Sequence, residues 1–120
     1  MTKYILLKSD STILFDYDAE GLEKKQKAVG GLIQPVHLET GLTAYINEEG
    51  LLINLPVNHI AIVNFRNYGV FEKYLFENHE ILGNVLYKCE SKTLYDSLKA
   101  SLQIGKQVMR LENNIILAKS

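Results

Sequence analysis

Short apolar runs separated by turn residues fill the first part of the chain, and a clean four-residue period appears only later, beyond Ser91. Tyr4 to Leu7 is apolar and β-prone, Ser9-Asp10-Ser11 carries turn chemistry, and Thr12 to Phe15 is apolar again, which predicts an opening hairpin. From Ala19 to Ala28 acids come first and lysines last, matching the dipole of a short helix that Gly30-Gly31 would end. Leu32 to Leu38 reads as a strand, and Pro35, which has no N–H for a ladder bond, marks it as an edge or the site of a bulge. Leu42 to Ile46 and Leu51 to Leu55 flank Asn47-Glu48-Glu49-Gly50, which predicts a second hairpin turning on Gly50.

His59 to Phe65 is apolar enough for either a buried strand or one helical turn, and periodicity does not arbitrate. Tyr68 to Glu80 mixes aromatics and charges without a period of two or 3.6, and is expected to be a loop holding at most a helical turn. Ile81 to Lys88 predicts a strand in which Gly83-Asn84 marks a bulge or a close backbone approach. Ser91 can cap a helix over Lys92 to Gln103, where Leu94, Leu98 and Leu102 line one face and Gly105 is placed to stop it. Val108 to Leu111 and Asn114 to Ala118, separated by Glu112-Asn113, then predict a closing hairpin. Together these elements predict an α+β fold with an antiparallel core and two main helices, in one domain over residues 1–120.

Composition narrows the function classes. A chain of 120 residues with 47% hydrophobic and 22% charged positions can bury a core without staples. Thirteen Lys and Arg against fourteen Asp and Glu leave a formal charge of -1. That balance supplies neither the positive field that gathers long nucleic acid nor the dense negative charge of a DNA mimic. Cys89 stands alone, so a reducing cytoplasm is the expected setting and no disulfide is expected. The apolar stretch at Tyr4 to Leu7 breaks at Lys8, too short for a signal core or a membrane span.

Catalytic and cofactor patterns are not recognisable. His37, His59 and His79 lie far apart without the i, i+4 pairing of a helical zinc site, and no cofactor is expected. No Gly-x-Ser-x-Gly occurs, and Cys89 sits in an expected strand with only Lys88 beside it to lower its pKa. Gly30-Gly31 lacks the spacing of a phosphate loop, and Glu48-Glu49 are adjacent turn charges that point apart.

What the sequence does offer is a set of side chains able to hold a nucleotide unchanged. Phe71, Tyr74 and Phe76 are candidates for stacking on a base. Arg66 and Arg110, the chain's two arginines, are candidates for gripping phosphate. Gln34, Asn58 and Asn84 are candidates for reading base or ribose edges. Each has a plain structural alternative, the aromatics as core and Arg110 as the wet face of a strand; the combination is what points to a ligand.

A longer pattern supports this reading. Val29-Gly30-Gly31-Leu32-Ile33-Gln34-Pro35-Val36, then Ile46-Asn47-Glu48-Glu49-Gly50, then Leu55-Pro56-Val57-Asn58 with Ala61, and finally Gly83-Asn84-Val85-Leu86, resembles in order and spacing a small phage-encoded family. That family includes the first type of Thoeris anti-defence protein, which captures glycocyclic ADP-ribose, the signal made by a TIR-domain sensor. The resemblance implies an antiparallel β-barrel-like core decorated by helices. It further implies a homodimer or higher homo-oligomer in the host cytoplasm, with a cyclic nucleotide held where subunits meet and sequestered, not cleaved. It covers residues 29–86, so Arg110 rests on chemistry alone. Where the family often has a basic residue after the asparagine and a Thr after the alanine, this chain has His59 and Ile62, and His59 would be a pH-sensitive substitute. Two rival readings stay open: a hydrolase that destroys the signal, and a module that blocks a host protein through its aromatic loop.

Overall fold

The computed structural model describes residues 1–50, 53–69 and 81–119, with residues 112–119 described by backbone alone. The strands are β1 (Lys3–Leu7), β2 (Ile13–Leu14), β3 (Ile33–Glu39), β4 (Leu42–Asn47) and β5 (Val85–Cys89); the second half of β3 alternates buried and exposed positions, whereas β1 and β5 are buried along nearly their whole length. The helices among the described residues are α1 (Leu22–Val29), α2 (His59–Asn67) and α3 (Lys92–Lys119). The strands form one antiparallel sheet in the order β2-β1-β5-β4-β3. The fold is therefore α+β. β5 joins two local hairpins by inserting between β1 and β4, with Tyr87 opposite both Ile5 and Ala44.

The sheet is open, which corrects the expectation of a barrel. Closure would require β2 to pair with β3, yet β2 is only two residues long and β3 carries Pro35, which cannot donate to a ladder. Pro35 does lie on an edge strand, and the register of β3 shifts between His37 and Glu39.

One face of the sheet, formed by residues such as Ile5, Leu7, Ala44, Val85 and Tyr87, is buried under Ile60, Ala61 and Phe65 of α2 and Tyr95, Leu98 and Leu102 of α3. The other face buries Tyr4, Leu6 and Leu86 against Ala28 and Val29 of α1. The phenol ring of Tyr87 meets Phe65 edge-on at 6.3 Å between centroids, within the favourable range for an aromatic pair.

Several expected elements change under tertiary constraint. The first helix begins at Leu22, because Gly21 takes a positive φ of 92° and Ala19 is buried against the sheet. Gly30 ends it as expected, in the left-handed conformation with its N–H donating to the Gln26 carbonyl at 2.8 Å. The hairpin expected around Asn47 to Gly50 does not form: both edges of β4 are taken by β3 and β5, and Ile53-Asn54 is a turn. Residues 51 and 52 of its second arm lie outside the described residues. His59 to Phe65 is helical and runs on to Asn67.

The largest difference lies at the C-terminal end. Ser91 does cap the helix, its Oγ accepting from the Leu94 N–H at 3.2 Å. Gly105 does not stop it, and the closing hairpin expected from Val108 to Ala118 is instead the second half of α3, a helix of 28 residues. Its length is about 42 Å at 1.5 Å per residue. Gly105 instead faces α2, where a Cβ would lie 3.4 Å from Ile60 Cγ2, an ordinary contact that leaves room for an alanine.

Candidate functional site

Two of the three carboxamides expected to read a ligand are committed to the fold. Asn58 is 1% exposed and caps α2, its Oδ1 accepting from the Ala61 N–H at 3.2 Å. Its Nδ2 donates to the carbonyls of Leu7 and Gly83, each at 3.0 Å. Asn84 accepts from the Ser9 N–H and donates to the Ala28 carbonyl, both at 3.1 Å, tying the first hairpin's turn to the end of α1. Gln34 is half-buried on the edge strand opposite Ile46. A further carboxamide, Asn47, is wholly buried and also structural, donating to the Val29 carbonyl at 3.0 Å and accepting from the Glu49 N–H at 2.8 Å. Asn47, Asn58 and Asn84 thus hold the scaffold together.

Phe71, Tyr74 and Phe76 lie outside the described residues. Arg66 is exposed in the last turn of α2, and Arg110 is exposed on α3.

An apolar groove of about 460 Å³ lies between α2 and α3. Ile60, Val63 and Asn67 form one wall; their spacing of three and four residues puts them on one face of α2. Ser97, Ser101, Ile104 and Val108 form the other, with the same spacings along α3. The two serine hydroxyls and the Asn67 amide are the polar groups of an otherwise hydrocarbon surface. Arg66 precedes Asn67 in the last turn of α2 but is not part of the groove lining. Arg110 follows Val108 by two positions, roughly 200° around the helix, and so faces away from the groove. The structure therefore separates the two arginines that were expected to act together.

Asn64 lies one helical turn beyond Ile60, only 3% exposed, and neither atom of its amide has a hydrogen-bond partner among the described residues. Tyr87 Oη is likewise buried without a partner, and burial holds its hydroxyl neutral well above the ordinary range. These groups were not legible as site candidates, since nothing in the sequence signals which polar residue will be buried. The groove wall on α3 had a signal, the spacing of Ser97, Ser101, Ile104 and Val108. It was obscured by reading Gly105 as a helix stop.

A second, shallower pocket of about 300 Å³ is lined by Tyr4, Asp16, Asp18 and Glu20 among others. Hydrogen bonds from Tyr95 and Lys24 hold the carboxyls of Asp16 and Asp18 below their usual range, so both stay ionised and repel an anion. Among the described residues no group of three His, Cys, Asp or Glu side chains is placed to share a metal ion. Cys89 is buried, which pushes its thiol up to about 11 and leaves it a poor nucleophile. No helix among the described residues is long and apolar enough to cross a membrane.

No curated protein and no solved structure matches the chain. A family model described as a domain of unknown function, DUF3846, matches residues 2–103, spanning the whole sheet, α1, α2 and the first turns of α3. The chain belongs to that family.

Proposed function

We propose that this protein is a non-catalytic capture protein that holds a small nucleotide signal in the groove between α2 and α3 and releases it unchanged. The observation that carries the reading is the groove itself. Its volume of about 460 Å³ and its hydrocarbon walls with a few polar groups match the usual character of small-molecule sites. A base or ribose edge can hydrogen-bond to Ser97, Ser101 or Asn67 while its faces rest on Val63 and Ile104. The inert thiol of Cys89 favours capture over a cysteine-based hydrolase.

The resemblance to the Thoeris anti-defence family narrows the ligand to the cyclic ADP-ribose class and the setting to a phage-infected host cytoplasm. A sponge must bind tightly, and nanomolar affinity corresponds to about -12 kcal/mol. Calorimetric titration with cyclic ADP-ribose isomers and cyclic oligonucleotides tests the proposal. Tight binding of one ligand, recovered intact after denaturation and abolished by Ser101→Trp, is expected. Absence of binding across the panel, or recovery of linear ADP-ribose, overturns it.

The strongly apolar character of the groove favours one rival, a module that accepts an apolar segment of a host protein. That version predicts a stable complex with a host protein and no heat with any cyclic nucleotide.

A further inference from the structure

The groove between α2 and α3 is polarised along its length. Asn58, which caps the start of α2, donates to the Gly83 carbonyl just ahead of β5, and Ile60 in the first turn lies against Gly105 of α3. Past the other end of α2, Tyr68 lies within electrostatic reach of Cys89, the last residue of β5, and so does Tyr95 in the first turn of α3. The two helices therefore run antiparallel. A step forward along one is matched by a step back along the other, which sets Asn67 about level with Ser97 and leaves the Val108 end to hydrocarbon.

Among the described residues, the groove lining includes no charged side chain. Lys99, Lys106 and Arg110 each follow a lining residue of α3 by two positions, about 200° around the helix, and so point away from the groove. Lys99 lies instead over the Phe15 ring at 4.8 Å, and Lys92 is paired with Asp96 at 3.9 Å. A phosphate moved off water into these walls would give up its hydration with no cation in the lining to replace it.

We infer that the groove selects its ligand by an uncharged nucleobase, read by Asn67, Ser97 and Ser101, and leaves the phosphates in solvent. This rests on the capture reading and specifies which part of the ligand is recognised. A primary amide and two hydroxyls all donate and accept, so they complement a base edge with a donor beside an acceptor, as the amino group and ring nitrogen of adenine present. The hydrocarbon of Ile60, Ile104 and Val108 suits the flat faces of a base and offers nothing to a charged group. Selectivity then resides in hydrogen bonds, because a site built to bond a ligand N–H rejects an analogue that lacks it far more strongly than an apolar pocket rejects a change in size.

Calorimetric titration of the full chain with adenosine, AMP and purine riboside, the last lacking the amino group, tests the inference. AMP is expected to bind within about threefold of adenosine, at low salt and at high salt alike, since a phosphate left in water adds little and is screened. Purine riboside is expected to bind about tenfold or more weakly than adenosine, the usual scale for a lost bidentate contact. Asn67→Ala with Ser97→Ala is expected to erase that preference and to fold, because both side chains are exposed. AMP binding far tighter than adenosine, competition by inorganic pyrophosphate, or equal binding of purine riboside would each overturn the inference and leave the capture reading standing. So would a preference that persists in the double variant, or binding of a cyclic ADP-ribose isomer with none of adenosine. If the double variant fails to fold, the wild-type ratios still decide. No heat with any nucleoside or cyclic nucleotide removes the capture reading and this inference together.

Discussion

The side-chain amide of Asn58 donates to the carbonyl of Leu7 at 3.0 Å across 51 residues of sequence. The same amide nitrogen reaches Gly83, and the side-chain oxygen caps α2, so one buried residue joins the end of β1, the entry to β5 and the start of the groove helix. Removing it strands two carbonyls and one N–H in the interior. Asn58→Ala is expected to cost about 2–4 kcal/mol, the range for buried donors and acceptors left unpaired. Urea unfolding checks this; a loss below about 1 kcal/mol would return Asn58 to the candidates for ligand contact.

Gly105 sits inside a helix, where glycine is less favourable than alanine by about 1 kcal/mol. The 3.4 Å between a Cβ at this position and Ile60 Cγ2 is ordinary contact. Gly105→Ala is therefore expected to stabilise the protein by about 0.5–1 kcal/mol. Gly105→Leu should force α2 and α3 apart and lower the thermal midpoint.

Asn64 keeps an unpaired amide in the interior, which costs about 1–3 kcal/mol relative to a satisfied or apolar side chain. Asn64→Leu, which keeps the number and branching of the side-chain heavy atoms, is expected to raise the melting temperature. If the amide is retained to meet a ligand at the groove, the same variant should weaken capture. A more stable protein with unchanged affinity would show that Asn64 has no part in binding.

Burial holds Cys89 protonated up to about 11 in the folded state, whereas an unfolded thiol ionises near 8.5. The folded pKa is the higher one, so stability is unaffected below the unfolded value and declines as pH rises from about 8.5 toward 11. The loss across that window is of order 3 kcal/mol, and Tyr87 adds to it in the same direction. Urea midpoints at pH 8 and pH 10.5 should differ markedly, and the difference should shrink in Cys89→Ala. Slow labelling of Cys89 by a thiol reagent in native buffer is the companion expectation.

Local chemistry was enough to read much of this protein from its residues. Ser9-Asp10-Ser11 makes the first turn, with the Thr12 N–H donating to Asp10 at 2.9 Å, because an aspartate reaching its own backbone two residues on needs no distant partner. Gly30, Pro35 and Ser91 also act where their backbone and hydrogen-bond properties place them. The sequence could not say which runs pair with which. That β5 lies between β1 and β4, and so takes the edge of β4 that the expected second hairpin needed, follows from long-range burial of Tyr87 and Val85. Tertiary structure likewise decided that Gly105 is a packing contact and not a helix stop, and that Asn58 and Asn84 bind backbone. A glycine or a carboxamide has the same chemistry in either role, and only the neighbours brought together by folding determine which one it performs.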